Sequence, residues 1–374
     1  MRLWLLTNGL GEDRAAALVA REIRLRRPAL ELIAAPLVTT GAEFANHGIP
    51  CALSGALPRS GGFPAASLLA LLRDLPRVPA YVSYVRRLRR LRRPDDAFVA
   101  CGDVFLLGLG RIAFGRAGAH LALPKSVYGQ PHSALERALL RPWATIVLAR
   151  DQATADALHA RGVRAAFVGN PLVDGFPASV PAPPGPPRVL LLPGSRTEAP
   201  DNLVRLLDLV LLVRHPARWQ CAWPRGIAVD EADRAASAAG WTRDGDTLRR
   251  GAAAVVVCAQ QEGRTFESLL SEADLVVGLA GTANEQAAAL GKPVVTLVGC
   301  GPQTTARRMA EQERLLGGAA QFVRGSRRAV ASAIEALLAS PEERARRGAL
   351  GVTRTGPPGG AARVAERLLS DLGC

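Results

Sequence analysis

The sequence predicts an α/β protein built from two doubly wound domains, each a parallel sheet with helices on both faces. Short, wholly apolar runs alternate along the chain with segments of helical period, the pattern of strands buried on both sides. The 374 residues suffice for two full cores. The densest proline stretch, Phe176–Pro187, can continue neither helix nor strand, and the strand pattern restarts just after it. The chain is thereby divided into a first domain over residues 1–176, a linker over 177–187, a second domain over 188–354, and a closing turn and helix over 355–374. In such a pair of domains, ligands are expected at the carboxyl ends of the strands, facing a central cleft.

The strands expected in the first domain are Leu3–Leu6, Leu32–Ala35, Ala97–Cys101, Thr145–Leu148 and Ala165–Val168. Those expected in the second are Val189–Leu192, Trp219–Trp223, Ala253–Cys258, Leu275–Leu279 and Val294–Val298. Helical segments fill the intervals. The last, Ala361–Leu372, follows a Gly/Pro-rich turn, Thr355–Gly360, a break that allows a terminal helix to pack back onto the first domain.

A hydrophobic content of 48% excludes a disordered chain, while basic residues outnumber acidic ones 47 to 33. Only Lys125 and Lys292 are lysines, so the excess is arginine, read either as a coding bias spread over the surface or as a functional basic face. Aromatic residues make up only 5% and the arginines are dispersed, which argues against a nucleic-acid partner. The six cysteines are scattered without metal-like spacing, as expected of a reducing cytoplasm. The opening Leu3–Leu6 run is a first strand rather than a signal peptide, and no apolar run approaches the roughly 18 residues that span a bilayer. The expected state is therefore soluble or peripheral to a membrane.

The most informative segment is Ala273–Val295: a buried strand, a turn of small residues (Ala280-Gly281-Thr282-Ala283), a helix opening at Asn284, and a second strand. A tight turn into a helix leaves the first backbone N–H groups open and, with the helix dipole, makes an anion site. Thr282 adds a hydroxyl, and Glu285 and Gln286 are placed to meet ribose hydroxyls. Val189–Glu198 repeats the plan. There Gly194 admits a ligand to the backbone, Ser195 caps a helix or binds phosphate, and Arg196 clamps phosphate with paired hydrogen bonds. Ordinary capped turns with surface polar residues are the plain alternative for each. Two such segments in one half-chain suggest a nucleotide diphosphate.

Near the amino terminus, Thr7–Asp13 is a glycine loop with Gly9 and Gly11 but no third glycine of the dinucleotide pattern. Its Glu12 and Asp13 would repel a pyrophosphate, so the loop reads as acceptor-side, its carboxylates either general bases or helix caps. Asp103 follows a strand in apolar surroundings that raise a carboxyl pKa, and reads as a proton-transfer group or a turn residue. Over Tyr81–Arg93, Tyr81, Tyr84, Val85, Leu88 and Leu91 fall on one helical face, with Arg86, Arg87, Arg89 and Arg90 among the residues on the other. That pattern suits either an anionic membrane surface, with the apolar Phe63–Val78 stretch adding acyl contact, or a solvated outer helix. The five histidines are dispersed, and nothing indicates a metal or another cofactor.

Taken together, LPGSR at Leu192–Arg196, GNPLVD at Gly169–Asp174 and AGTANEQAAALGKP at Ala280–Pro293 resemble the lipid-A-disaccharide synthases, in order and spacing over roughly residues 1–350. Those are GT-B glycosyltransferases that join a UDP-linked acylated glucosamine to a lipid-linked acceptor sugar. The resemblance implies two Rossmann-like domains, inversion at the anomeric carbon without a metal, and attachment to the inner membrane face. It places Gly194, Ser195 and Arg196 at the nucleotide phosphates, and Gly281, Thr282 and Ala283 at the diphosphate or uracil. Gly11 and Glu12 fall at a Gly-Asp pair of the acceptor-side loop. Pro124–Tyr128 is similar to a Pro-Ser-Val-aromatic stretch of the family.

Gln286 stands where the family has a carboxylate, Asn170 where a histidine is usual, and Asp103 matches the family's aspartate after a one-residue shift. These departures are similar to those of the lipid-A-disaccharide synthase-related branch. The expected function is transfer of a sugar from a UDP-sugar to a glycolipid. A UDP-sugar 2-epimerase-like enzyme and a non-catalytic nucleotide-sugar binder are the alternatives.

Overall fold

The computed structural model describes residues 1–55, 78–176, 185–259 and 265–373. Residues 177–184 of the expected linker, and the Phe63–Val78 stretch before Val78, lie outside them. The chain forms two compact units, Met1–Asp174 with Pro358–Cys374, and Gly175–Pro357.

In unit 1 the elements run β1 (Arg2–Thr7), α1 (Leu10–Arg26), β2 (Glu31–Pro36), α2 (Ala42–Asn46), α3 (Val78–Leu91), β3 (Ala97–Cys101) and α4 (Val104–Phe114). They continue through β4 (Gly118–Ala122), α5 (Ala134–Trp143), β5 (Ala144–Ala149), α6 (Gln152–His159) and the short β6 (Ala165–Ala166). All strands are parallel, in the order β2-β1-β3-β4-β5-β6. Because successive side chains of a strand point to opposite faces, β3 sends Val99 to one core and Phe98 and Ala100 to the other. The first core is closed by α1 and by the helix Gly360–Leu372, whose Ala361, Val364, Ala365 and Leu368 pack against it. The second is closed by α3, α4, α5 and α6.

Unit 2 contains β7 (Arg188–Leu192), α7 (Ala199–Leu212), β8 (Arg218–Trp223), α8 (Val229–Ala238), β9 (Thr242–Asp244), β10 (Thr247–Arg250) and β11 (Ala253–Ala259). It continues with α9 (Phe266–Glu272), β12 (Leu275–Gly278), α10 (Thr282–Ala289), β13 (Val294–Thr296), α11 (Ala306–Leu316), β14 (Ala320–Phe322), α12 (Arg327–Ala339) and α13 (Pro341–Thr355). The sheet order is β14-β13-β12-β7-β8-β11-β10-β9. On α13, Gly348 and Gly351 allow an approach to the end of α10 that no side chain would permit. A Cβ at these positions would lie 2.1 Å from the Gly291 carbonyl oxygen and 2.2 Å from that of Ala288. The last helix of the chain, Gly360–Leu372, is α14.

The structure adds elements to the sequence expectation. β4 reads GAHLA, too small and too polar in the middle to register as an apolar run, yet it is fully buried. β9 and β10 form an antiparallel hairpin at the sheet edge, so the second sheet is mixed rather than wholly parallel. GNPLVD also gains a structural account: Asp174 accepts from the N–H groups of Gly359 (2.7 Å) and Ala361 (2.5 Å), holding the start of α14.

Candidate functional site

In unit 2 the chain leaves β7 toward β8 and later returns to add β12 on the other side. The β7/β12 boundary is therefore the switch point at which an open α/β sheet takes its ligand. The two segments singled out in the sequence meet there. Leu279 N–H donates to the Leu192 carbonyl at 2.8 Å, extending the ladder by one step. Gly194 turns with φ +99°, and a Cβ there would lie 3.1 Å from the Leu279 carbonyl oxygen. Ser195 and Arg196 are exposed beyond it. Ser195 does not cap a helix, contrary to one reading: α7 starts at Ala199, with Glu198 at its N-cap and no side-chain cap bond.

Helix α10 starts at Thr282, two residues before the expected Asn284, with Gly281 at its N-cap and no side-chain cap. Asn284 and Glu285 N–H return to the Gly281 carbonyl at 3.2 and 3.4 Å, which leaves those of Thr282 and Ala283 as the donors at the helix start. Gly281 and Thr282 are exposed, and Ala283 and Glu285 half-buried. Asn284 and Gln286, which the sequence places at the ligand, are the third and fifth residues of this helix and are both buried. Asn284 Nδ2 donates to the Gly278 carbonyl (3.2 Å) and to Gln312 Oε1 (2.8 Å). Gln312 Nε2 in turn donates to the carbonyls of Ala280 (3.2 Å) and Gly281 (2.9 Å), so the turn is pinned from beneath.

A third loop, unforeseen from the sequence, joins this group after β13. Asn202 on α7 donates to the Pro193 carbonyl at 3.0 Å and accepts from Cys300 N–H at 2.7 Å. Thr304 Oγ1 closes the loop on the Cys300 carbonyl at 2.6 Å. Neither Gln312 nor Asn202 belongs to a local motif, so nothing in its neighbourhood of sequence marks it.

Unit 1 has its own switch point, between β1 and β3, where Thr7 and Cys101 stand in register. Asn8 and Gly102 follow. Gly102 adopts φ +152°, and a Cβ would lie 2.0 Å from Asn8 Oδ1, so the amide lies across the glycine. Asn8 hydrogen-bonds Asp103, whose carboxylate also accepts from Leu106 N–H at 2.9 Å as the N-cap of α4. Burial raises the Asp103 pKa, opposed by these two bonds and by Lys125.

Asp13 is buried, its two oxygens accepting from the hydroxyls of Thr7 and Thr39. Glu12 is half-buried and folds back over Gly9, where a Cβ would lie 2.2 Å from Glu12 Oε2. Burial lifts the Glu12 pKa to about 7; its own N–H and Arg150 oppose the rise, while Asp103 and Asp13 add to it. Gly11 lies in the first turn of α1, half-buried.

Two further expectations are corrected. Dispersed in sequence, His120 and His132 come together in space and are held neutral, at about 3 and about 4, by burial and, for His120, by its neighbour. The Nε2 atoms of both are buried and, among the described residues, meet no hydrogen-bond partner.

The aromatic face of α3 is not open to lipid. Tyr84 is buried, its hydroxyl donating to the Ala35 carbonyl at 2.6 Å, and Tyr81 meets Phe105 edge-on with ring centroids 4.9 Å apart. Arg89 donates to the Ile112 carbonyl at 3.0 Å, while Arg86, Arg87 and Arg90 are exposed. Among the described residues no helix is long and apolar enough to cross a membrane, and no group of three or more His, Cys, Asp or Glu side chains is placed to hold a metal.

No protein-family model matches the chain, and no curated protein matches it. Solved structures do. CalG4, the calicheamicin glycosyltransferase, superposes with a TM-score of 0.67 at 18% identity, covering 100% of this chain and 98% of its own. MurG of Acinetobacter baumannii gives 0.64 at 15%, covering 99% and 100%. The UDP-GlcNAc 2-epimerase of Neisseria meningitidis, bound to UDP-GlcNAc, gives 0.61 at 14%, covering 99% and 100%. At these identities the likeness is one of fold, and the fold is that of the GT-B glycosyltransferases, with two Rossmann-like units.

Proposed function

We propose that the chain is an inverting, metal-independent glycosyltransferase that moves a sugar from a UDP-sugar to a glycolipid, in the manner of the lipid-A-disaccharide synthases. The observation that carries this reading is the convergence of two loops at the β7/β12 switch point: Gly194, two residues before exposed Arg196, abuts Leu279, two residues before the exposed Gly281–Thr282 start of α10. A guanidinium and a helix start together stabilise the charge that develops on a departing diphosphate, the role a metal plays elsewhere. In unit 1 Glu12 is the carboxylate best suited to take the acceptor proton, because Asp13 is occupied by two hydroxyls and Asp103 by a helix cap. The acceptor oxygen then forms its bond to the anomeric carbon as the bond to the UDP oxygen breaks, the hydroxyl proton passing to Glu12.

The lipophilic acceptor is supported by exposed apolar residues at the carboxyl end of the unit 1 sheet, Leu10, Phe105, Val127 and Leu135, each within two residues of Glu12, Asp103, Lys125 or Glu136. Exposed Val78, Val82 and Ile112 near Arg86 and Arg90 support contact with an anionic membrane at the cytoplasmic face, in place of the tyrosines first expected there.

Arg196→Ala is expected to weaken UDP binding about 10- to 100-fold, the worth of a charge-assisted pair. Calorimetry giving an unchanged affinity would remove the phosphate assignment. The likeness to the Neisseria epimerase favours a second reading, change of the donor sugar without an acceptor. UDP-sugars incubated with and without lipid extract separate the two: UDP release that depends on lipid supports transfer, and an isomerised donor formed without lipid supports epimerisation.

A further inference from the structure

A helix start is commonly fixed by a side chain that accepts from its first N–H groups. Other helices of unit 2 follow that rule: Thr265 accepts from Ser268 N–H at the start of α9, and Thr305 from Arg308 N–H at the start of α11. Such a cap occupies donors that an anion would need. At α10 the N-cap is Gly281, which has no side chain to offer, and no side-chain cap bond forms. The turn is fixed from its carbonyl side instead. Gln312 on α11, only 7% exposed, donates through Nε2 to the carbonyls of Ala280 (3.2 Å) and Gly281 (2.9 Å). The Gly278 carbonyl is taken by Thr296 Oγ1 (2.7 Å) and Asn284 Nδ2 (3.2 Å).

The orientation of Gln312 is set by Asn284, whose Nδ2 also donates to Gln312 Oε1 at 2.8 Å. Asn284 thereby uses both its amide hydrogens, while its Oδ1 is buried and, among the described residues, meets no partner. Stability is given up there to keep the two amides in this order. Glutamine suits the position because one neutral group both donates and accepts. A carboxylate could not donate to the two carbonyls, and an ammonium could not accept from Asn284.

The peptide bonds of the turn are trans, so each C=O and the N–H that follows it point in opposite directions. Drawing the Ala280 and Gly281 carbonyls onto Gln312 turns the N–H groups of Gly281 and Thr282 away from it, and both residues are exposed. We infer that Gln312 is a positioning residue for the diphosphate: buried beneath the turn, it aims the N–H groups of Gly281 and Thr282 at the anion without touching it. The inference rests on the UDP-sugar reading of this site and adds to it a residue from a separate helix.

Binding of UDP and of uridine to the parent and to Gln312→Met, followed by NMR titration, tests this. Methionine keeps the length of the side chain and removes its donor and its acceptor. UDP should bind about tenfold more weakly, the worth of a misaligned hydrogen bond to a charged group. Uridine, which has no phosphate, should bind as before, whereas a residue that only supports the fold would weaken both ligands together. In the free protein, the carbonyl carbon resonances of Ala280 and Gly281 should move in the variant. Unmoved resonances, an unchanged affinity for UDP, or an equal loss for uridine each overturn the positioning role while the parent's UDP site stands. A parent that binds no UDP fails the nucleotide reading, and the role of Gln312 falls with it. Should Gln312→Met not fold, Gln312→Asn, an amide too short to reach both carbonyls, is measured in the same way, with the same outcomes deciding.

Discussion

Glu12 and Asp103 both lie just past a strand end at the unit 1 switch point, yet their surroundings separate them. Asp103 carries Leu106 N–H and Asn8, whereas Glu12 is desolvated beside other negative charge. Since Glu12 must be ionised to accept a proton, the rate should rise with pH through about 7. Glu12→Gln should lower kcat by about 10²- to 10⁴-fold and abolish that limb, the usual worth of a general base. A variant retaining the parent profile would shift the role to Asp103. At this scale the sequence was informative where chemistry is local. Gly194, Arg196, Gly281 and Thr282 sit in turns whose residue types show their conformation. It did not show that Asn284 and Gln286 are buried, nor that Asn284 is held by the Gly278 carbonyl and by Gln312, neither of them its neighbour in sequence. Gln312 was invisible, since its partners lie about thirty residues upstream.

The elements hold these residues by close approach more than by polar contact. Helix α10 is backed by α13 through Gly351, where a Cβ would lie 2.2 Å from the Ala288 carbonyl oxygen. Gly351→Ala is therefore expected to cost about 1–3 kcal/mol through overpacking and to weaken UDP binding by displacing α10. Gly226→Ala, in open space in the same unit, should do neither. Melting curves and calorimetry on both variants check this. Asp174 plays the corresponding part for α14. Asp174→Ala should cost about 1–3 kcal/mol and speed hydrogen exchange over residues 360–372 while leaving the unit 2 strands protected. Periodicity revealed the apolar stripe of α3 but not its partner: the same stripe serves a lipid surface or a sheet, and the sheet takes it here. β4 escaped notice because strand propensity resides in branched and aromatic side chains, and GAHLA has none of the former and only an imidazole of the latter.

For the whole molecule, the doubly wound plan was legible because buried parallel strands read as apolar runs separated by helices, and the solved GT-B structures share that plan. The edge hairpin β9–β10 was not, since Thr242–Arg250 is largely solvated and polar. Buried His120 and His132 also tie global stability to pH. Their folded values, about 3 and about 4, lie below the usual 6.5, so the unfolded chain takes up protons first. Their contribution is complete above pH 6.5 and is lost as pH falls from there toward 4. Glu12, raised in the fold, works in the opposite sense, losing its contribution as pH rises through about 7. Replacing one histidine isolates its part. In urea titrations, His132→Gln should lessen the loss of stability from pH 6.5 to 5 by up to tenfold in the unfolding constant per pH unit. An unchanged pH dependence would mean that His132 charges in the native state.

The return of α14 to the first core also bears on biosynthesis. Arg26 on α1 reaches Glu366, 340 positions later, and Leu3 and Leu368 belong to one cluster. As the chain leaves the ribosome, unit 2 is complete in sequence while unit 1 still lacks one wall. The half that begins first finishes last, and until α14 emerges the apolar side of α1 faces water, a sticky intermediate that a nascent-chain chaperone would be suited to cover.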